Sequence, residues 1–361
     1  MVSNGTRRRI LETYGYGTPS SANVLKYGRN IVGVALRDLN DELFTLVTFR
    51  PLRNQPGIIS VLPDTGTYHQ RVNTDPDTNL ATYTIRKMFD FYIQGWERNF
   101  GIQIESQTNT PVAVGLGSSA AYIVAAIEAA SSFLDVEHRI TVPTNHKLYW
   151  AGQGEVLTAG RPLPDNDVAL IYGGFARLLR MGTTPDETRG EVINNTSRWR
   201  VVLAKPTEVE EKLGGSTEEV IEQLRGLGYS SEVLPDYAVV FNRLLPALRK
   251  QDIDEASQIT AGSHPVELDR ARLGIYGQGI TPELYTRWHP RFASNHLPIN
   301  YSGTGPFVAI FCDIDRYPNS ESTAIEMATE MHREAGYSTD TIRAEVNNAP
   351  SERLRPQPLF E

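Results

Sequence analysis

The sequence predicts a mixed α+β fold arranged as two lobes. Short segments with apolar residues at alternate positions are interleaved with longer segments whose apolar residues recur every three or four positions, the periods of strands and helices. A polar stretch, 181–195, interrupts the chain near its middle, so we expect an N-terminal domain, 1–194, and a C-terminal domain, 195–361. The 361 residues, 40% of them hydrophobic, suffice for two domains or one large one.

The N-terminal part predicts strands followed by one amphipathic helix. Residues 14–21 contain glycine, proline and serine and favour a loop. The stretch 81–100 carries apolar residues at spacings of three and four, which predicts a helix with one face in the core. Asp75 to Leu80 before it is typical of a turn and helix start. Strands are predicted within 38–50, at 58–62 and at 101–108.

Pro111 to Ala121, Pro-Val-Ala-Val-Gly-Leu-Gly-Ser-Ser-Ala-Ala, is the most informative stretch of the chain. Gly115 and Gly117 permit backbone angles closed to other residues, and an apolar run after them predicts a helix. Free N–H groups and the positive end of the helix dipole gather at such a start, which therefore favours an anion. The Ser118 and Ser119 hydroxyls are suited to phosphate oxygens or Mg²⁺. The loop differs from the Walker pattern, because no Gly-Lys-[Ser/Thr] follows at the required spacing.

A second helix is predicted at 145–154, and a short polar cluster follows it. Glu155 precedes Asp165-Asn166-Asp167, and Gly173-Gly-Phe then predicts a turn into a strand. Asp and Asn favour helix N-caps, so capping is an alternative role for Asp165 and Asn166. On residue type alone, Glu155 also fits a surface helix.

The C-terminal part alternates strands and helices. Ser302-Gly-Thr-Gly-Pro306 forms a second glycine loop directly before an apolar strand. The segment from Asn347, with three prolines, favours an extended conformation. Strands are predicted at 199–204 and within 299–313, and helices at 216–227, 236–250, 252–263 and 320–336.

Composition excludes several classes of function. The formal net charge of −8 disfavours a nucleic acid or an anionic membrane as partner, because either requires a basic surface. The single cysteine, Cys312, rules out an intramolecular disulfide and a multi-cysteine metal site. No apolar run approaches the roughly 20 residues of a membrane helix, and the start lacks a signal-peptide core. We expect a cytoplasmic protein that binds neither nucleic acid nor membrane.

The central stretch resembles the second motif of the GHMP small-molecule kinases, named for galactokinase, homoserine kinase, mevalonate kinase and phosphomevalonate kinase. That motif reads Pro-x-x-x-Gly-Leu-Gly-Ser-Ser-Ala, and this chain carries all of it. Pro19-Ser-Ser-Ala-Asn23 with Gly33-Val-Ala-Leu36 is similar to the first motif of homoserine kinases, and the loop from Ser302 is similar to the third. The resemblance spans 19–313 and implies a two-lobed GHMP kinase fold, with a ribosomal protein S5 domain 2-like N-terminal lobe and a ferredoxin-like C-terminal lobe.

The resemblance implies ATP and Mg²⁺ as cofactors and a small-molecule hydroxyl as phosphate acceptor. The metal ligands implied are Ser119 and Glu155. Homoserine kinases carry a glutamate eleven residues before the asparagine of a His-x-Asp-Asn motif, and Glu155 and Asn166 keep that spacing. The nucleotide-binding residues implied are Asn79, Pro111, Gly115, Leu116, Gly117, Ser118, Ser119 and Ala120, and those for the acceptor are Asn23, Arg29, Ser302, Gly303 and Gly305.

The catalytic residues implied are less defined. Mevalonate kinases use an aspartate as base with a lysine to assist it, whereas homoserine kinases rely on asparagine-type contacts. We expect Asn166 to orient the acceptor or the γ-phosphate, with assistance from Asp165 or Asp167. Lys26 is the candidate for the assisting cation.

Two departures from the homoserine kinase pattern bear on the acceptor. Arg29 stands where those kinases have an aspartate for the amino group, and Leu163 stands in place of the histidine. A charge reversal at an amino-binding position costs several kcal/mol. We therefore predict that L-homoserine is not the substrate and that the acceptor carries a carboxylate or a phosphate. A solvent-facing Arg29 is the alternative.

Two other functions remain open from the sequence. Mevalonate diphosphate decarboxylases share the fold implied here, and a catalytically inactive relative would bind a ligand without turnover. The intact glycine loop and the Asp165-Asn166 pair favour a kinase over both. A homodimer is compatible with the sequence.

Overall fold

The computed structural model describes most of the two predicted lobes. The described residues are 13–17, 20–27, 30–40, 42–67, 72–111, 115–162, 164–209, 235–261, 281–302, 306–350 and 352–354, with single helical positions at 219, 223 and 226. The strands β1, β2 and β13 defined below are described by backbone pairing.

The first sheet has five strands in the order β13-β1-β4-β6-β5. The pair β5 and β6 is parallel and the other pairs are antiparallel. Since β13 pairs with β1 through Tyr14 and Leu354, the last described residues complete a sheet built from the first part of the chain. The strands are β1 (Thr13–Gly17), β4 (Thr45–Leu52), β5 (Ile59–Val61), β6 (Gly101–Thr108) and β13 (Glu352–Leu354).

The second sheet has eight strands and crosses the boundary between the expected domains. Its order is β10-β11-β9-β12-β3-β7-β8, and β2 also pairs with β3. All of its pairings are antiparallel. The strands are β2 (Ser20–Tyr27), β3 (Asn30–Asp38), β7 (Phe175–Arg180), β8 (Arg189–Asn194), β9 (Arg200–Pro206), β10 (Ile299–Tyr301), β11 (Val308–Cys312) and β12 (Thr339–Val346).

Nine helices pack against these sheets in the described ranges. Short 3₁₀ turns lie at Trp96–Arg98 and Pro185–Glu187. The helices are α1 (Leu80–Tyr92), α2 (Ser118–His138), α3 (Thr144–Gly154), α4 (Val156–Ala159), α5 (Asp167–Tyr172), α6 (Pro235–Lys250), α7 (Ile253–Thr260), α8 (Pro282–Ser294) and α9 (Ser320–Glu334).

Helix α2 is the centre of the N-terminal core. Every residue from Ala120 to Leu134 is buried, and Phe133 packs against Phe49 of β4 with ring centroids 4.9 Å apart. The buried carboxylate of Glu128 is neutralised by Lys147 of α3, whose Nζ lies 2.6 and 2.7 Å from its two oxygens. A buried charge paired in this way avoids the penalty of an isolated one.

The same helix corrects the expectation about membrane segments. Among the described residues, α2 is long and apolar enough to cross a membrane by length and composition. However, 83% of its most apolar window is buried inside the fold. Protein surrounds the helix, so its apolar composition on all sides is that of a buried core helix.

Three local predictions are wrong, each because tertiary pairing or a glycine changes the outcome. Residues 14–21 lie largely in β1 and β2 instead of a loop, since β1 finds partners in both β4 and β13. The expected linker 181–195 contains β8, which pairs with β7. The helix expected to reach residue 100 ends at Tyr92, before Gly95 with φ of 69°. Helix 216–227 lies largely outside the described residues.

The expected division at 194/195 falls in the connection between β8 and β9. Strand β12 from the second segment pairs with β3 from the first, and β13 pairs with β1. The two segments therefore share both sheets, although the helices α1 to α5 and α6 to α9 follow the division in sequence.

Candidate active site

The glycine loop ends in an open helix N-terminus. Gly115 has φ of 88° and Gly117 has φ of 69°, values in the left-handed region that side chains disfavour. Gly117 is the N-cap of α2, and no described side chain caps it. The first turn of any α-helix leaves N–H groups without intrahelical partners. Leu116 fixes the loop, because its side chain is fully buried in a hydrophobic cluster with Val34 and Phe307.

The two predicted metal ligands lie side by side. The Ser119 hydroxyl donates to Glu155 Oε1 at 3.0 Å, although the residues are 36 positions apart. Glu155 is 7% exposed and lies between α3 and α4, where Thr158 donates to its other oxygen. The alternative of a surface helix carboxylate is therefore excluded for Glu155.

The third motif meets the second at the glycine loop. Ser302 is buried and its hydroxyl donates to the carbonyl oxygen of Gly115 at 2.7 Å. Its backbone N–H donates to the Phe307 carbonyl at 2.9 Å, which closes the second loop. Gly303 and Gly305, the other predicted residues of that loop, lie outside the described residues.

The Asp165-Asn166 pair lies at the start of α5, and neither residue acts as a conventional cap. Asn166 occupies the N-cap position, but its side chain forms no capping hydrogen bond with the described residues. Asp165 is buried, and its Oδ1 accepts a hydrogen bond from the Asn166 backbone at 3.0 Å. The half-buried Asn166 amide is thus not consumed by helix capping, which removes that alternative for it.

Asp167, expected to assist Asn166 as an alternative to Asp165, is a fully buried carboxyl. It is 0% exposed, and neither carboxyl oxygen has a hydrogen-bond partner among the described residues. Burial raises the pKa of Asp167 well above its ordinary value, and the carboxylates of Glu155 and Asp165 raise it further. The start of α5 therefore contributes to a cluster of three carboxyl groups behind Ser119.

Asn79 is the N-cap of α1, a position that asparagine favours. Its side-chain oxygen caps α1 by accepting from the backbone of Ala81 and Thr82 at 2.9 and 3.1 Å. Its amide nitrogen donates to the Asn73 carbonyl and to the Tyr122 hydroxyl, at 2.5 and 3.1 Å. Tyr122 lies one turn after Ser118 on α2, so Asn79 ties α1 to the helix of the glycine loop. No local sequence pattern predicts this link.

Of the remaining predicted residues, some are described only by their backbone and others lie outside the described residues. Asn23 and Lys26 belong to β2, which contacts the helix after the glycine loop (α2), the helix after Asn166 (α5) and the strand before Ser302 (β10). Pro111 is half-buried at the entry to the glycine loop. Arg29 and Leu163 lie outside the described residues.

The donor set fits a magnesium ion bound together with phosphate. No cluster of three or more His, Cys, Asp or Glu side chains in the described ranges is arranged to hold a metal ion alone. Ser119 and Glu155 supply two hard oxygen ligands, and Mg²⁺ usually takes one or two from protein and the rest from phosphate and water. The residues present thus fit a metal that arrives with a nucleotide.

Comparison with known proteins agrees with this geometry. The family described as "GHMP kinases N terminal domain" matches residues 79–174, which contain the glycine loop, Glu155 and Asn166. Residues 79–174 of this chain therefore resemble the N-terminal domain of the GHMP kinases. Its curated relatives are homoserine kinases, and it is similar to that branch of the superfamily.

Two of these relatives are archaeal homoserine kinases. That of Thermoplasma acidophilum is 26% identical over 239 residues, covering 66% of this chain and 69% of the relative. That of Saccharolobus islandicus is 21% identical over 287 residues, covering 77% and 81%. These relatives support a GHMP-kinase type of activity and leave the acceptor undefined.

Solved structures confirm the predicted two-lobed α+β fold of this GHMP kinase relative. The homoserine kinase from Cytophaga hutchinsonii has a TM-score of 0.68 at 17% identity, covering 98% of this chain and 100% of the other. Mevalonate diphosphate decarboxylase from Staphylococcus aureus has a TM-score of 0.62 at 13% identity, covering 96% and 98%. At such identities the likeness concerns the fold, which kinases and decarboxylases share.

Replacing Asp167 with Asn should stabilise the protein at neutral pH. A carboxyl whose pKa is raised in the folded state favours folding while protonated, and that advantage is lost as pH rises above its unfolded value of about 3.9. Asn cannot ionise, so the variant's advantage should grow from pH 4 towards neutrality. We expect a gain of roughly 1 to 3 kcal/mol in the free energy of unfolding, measured by urea titration without nucleotide.

The matched control is Asp64→Asn. Asp64 is also buried, but it accepts hydrogen bonds from Gly66, Ser106 and Thr108 at 2.7, 2.6 and 3.2 Å. This control should lose stability. Equal losses in both variants would contradict the account of Asp167.

Proposed function

We propose that this protein transfers the γ-phosphoryl group of ATP to a hydroxyl of a small anionic metabolite, with Mg²⁺. The observation that carries the proposal is the Ser119–Glu155 hydrogen bond beside the open N-terminus of α2. Backbone donors at a helix N-terminus favour phosphate, and a hydroxyl and a carboxylate favour Mg²⁺. Phosphoryl transfer requires mainly positioning and neutralisation of charge, which these groups supply.

Each residue has a distinct role in this proposal. The backbone of Gly115 to Ala120 binds the phosphates, and Ser119 and Glu155 hold Mg²⁺, which would neutralise phosphate charge when bound. Ser302 fixes the Gly115 carbonyl and thereby the loop. Asn166 orients the acceptor hydroxyl or the γ-phosphate, and its amide is available for that role.

The acceptor site is inferred from sequence position. Asn23 and Lys26 belong to β2, whose backbone passes between α2, α5 and β10. With Arg29, Lys26 supplies positive charge suited to a carboxylate or phosphate on the acceptor, together with Gly303 and Gly305 of the third motif. We assign these residues to acceptor binding, and Lys26 also to assistance in catalysis. Residues 1–194 form the nucleotide domain in this scheme and 195–361 the second domain.

A kinase is favoured over a decarboxylase, because the curated relatives reported above are kinases whereas the decarboxylase likeness is one of fold. The direct test is ADP release with ATP and Mg²⁺ across a panel of hydroxy acids, phosphorylated alcohols and sugars, alongside nucleotide-dependent thermal stabilisation. Turnover with at least one acceptor is expected. Nucleotide binding without turnover of any acceptor would instead favour an inactive relative.

Replacing Asn166 with Ala should lower turnover by about 10² to 10⁴-fold, since correct orientation of reacting groups accounts for effects of this size. The ATP affinity should stay near that of the wild type, because Asn166 is not part of the glycine loop. Steady-state kinetics and calorimetric titration with ATP and Mg²⁺ measure the two effects.

The matched control for that variant is Asn319→Ala. Asn319 also occupies an N-cap position, at α9, and forms no side-chain capping bond with the described residues. It should retain normal turnover. Near-normal turnover in the Asn166 variant would reject the role given to this residue.

Replacing Glu155 with Gln should raise the Mg²⁺ concentration needed for half-maximal activity by about tenfold or more, since a neutral amide is a weaker ligand for a hard cation. The amide keeps the size of the side chain and can still accept from Ser119. Activity measured against free Mg²⁺ at saturating ATP tests this. Glu330→Gln, on the surface of α9, is the control. An unchanged Mg²⁺ dependence would argue against Glu155 as a ligand.

L-Homoserine should be at least about 10²-fold poorer in kcat/KM than the best acceptor of the panel, because its ammonium group would face Arg29. Arg29→Asp should narrow that difference, because it should raise kcat/KM for homoserine and lower kcat/KM for the anionic acceptor. A wild-type preference for homoserine would overturn the assignment of an anionic acceptor.

A further inference from the structure

Strand β3 contacts the start of α5 at Gly33, where the Asp165-Asn166 turn, named the catalytic turn below, begins that helix. A Cβ atom built on Gly33 would lie 3.0 Å from the carbonyl oxygen of Asp165 and 3.0 Å from Cβ of Ala169. Such contacts are closer than ordinary van der Waals distance. The absence of a side chain at Gly33 therefore sets how near the Asp165-Asn166 turn lies to the sheet.

The same residue lies beside the first motif. Gly33 pairs with Asn23 of β2 on one side and with Ala176 of β7 on the other. The pairing of β2 shifts register between Asn23 and Leu25, which marks a bulge immediately after Asn23. Bulges change the direction of side chains and are frequent next to active sites. Gly33 thus joins the strand assigned to the acceptor with the turn assigned to phosphoryl transfer.

We propose that Gly33 is a positioning residue that fixes the separation between Asn23 and Asn166. The proposal rests on the function proposed above, because it names a determinant of that same site. Gly33 is not a ligand in this account. It acts by allowing the backbone of α5 and β3 to approach, which sets the distance between the backbone of Asn23 and the start of α5.

The effect of a larger residue at position 33 should fall on the catalytic turn and not on the sheet. Strand β3 is hydrogen-bonded to β2, β7 and β12, which restrains it within the sheet. Helix α5 has six residues, and two backbone bonds at its start, from Val168 to the Pro164 carbonyl and from Leu170 to the Asn166 carbonyl, are 3.2 and 3.4 Å long. The N-terminal turn of α5 is therefore the softer of the two partners.

Gly190 offers a matched control on the other contact surface of α5. A Cβ there would lie 2.9 Å from the Tyr172 ring and 3.1 Å from Val168, so the crowding is similar. The atoms it meets are side chains of α5 and α3, and none belongs to Asp165 or Asn166. Gly190→Ala should therefore cost stability without displacing the catalytic turn.

The test compares Gly33→Ala, Gly33→Val and Gly190→Ala. We expect kcat to fall about tenfold with alanine and about 10²-fold with valine, because misplacement by 1 Å costs on that order. The affinity for ATP with Mg²⁺, measured by calorimetry, should stay within about twofold, since the glycine loop is built by other elements. Gly190→Ala should keep normal kcat. A normal kcat in both Gly33 variants, or an equal fall in the Gly190 variant, would overturn the proposal.

A double-variant cycle with Asn166→Ala tests whether Gly33 acts through Asn166. If it does, Gly33→Ala should have little further effect on kcat once Asn166 has been removed, because coupled residues are not additive. Full additivity of the two effects would overturn the proposal.

A crystal structure of Gly33→Ala separates this proposal from the proposed function. We expect the Asp165 carbonyl to move by about 0.5 Å and the Asn166 amide to move with it, while the glycine loop keeps its place. That displacement would support the positioning role even if no acceptor of the panel is phosphorylated, in which case only the proposed function fails. An unmoved Asp165 and Asn166 would overturn the positioning role whatever the activity.

Discussion

The burial of α2 is the constraint on which the site depends. A helix presents its free N–H groups to a ligand at a fixed place only when the rest of it cannot move. From Ala120 to Leu134 every side chain of α2 is buried, and the charge of Glu128 within this run is neutralised by Lys147. The glycine loop is therefore the half-exposed N-terminal end of a helix whose middle is enclosed by protein. Its backbone donors keep their direction without any ligand present.

The other groups of the site are attached to this fixed end. Ser302 bonds the carbonyl of Gly115, Glu155 accepts from Ser119, and Tyr122 holds Asn79 at the start of α1. Each bond joins α2 or its loop to a different part of the chain. The acidic cluster behind Ser119 is unfavourable in isolation, because three carboxyls share a buried region. A cation at this place would relieve that repulsion, so the same feature that costs stability favours metal binding.

Local pattern predicted most of the fold, the family resemblance supplied the candidate site residues, and pairing at long range explains what local pattern missed. The spacing of Glu155 and Asn166 and the glycine loop are visible in the sequence because they depend on residues close together. Residues 14–21 form strands because β1 pairs with β4 and with β13, and β13 lies more than 300 positions away. Local turn propensity therefore predicted a loop where the structure has strands. No sequence pattern predicted that Asp167 is buried, since an aspartate near a helix start usually faces solvent. The backbone contact at Gly33 likewise exists only once β3 and α5 have met.

The pairing of β13 with β1 has a consequence for how the protein is made. Strand β1 is among the first described residues to be synthesised and β13 among the last, yet they are neighbours in one sheet. Until residues 352–354 leave the ribosome, one edge of the five-stranded sheet exposes unpaired backbone groups that can recruit other chains. The five-stranded sheet therefore gains its β13 strand only after more than 300 further residues have been added to the chain beyond β1.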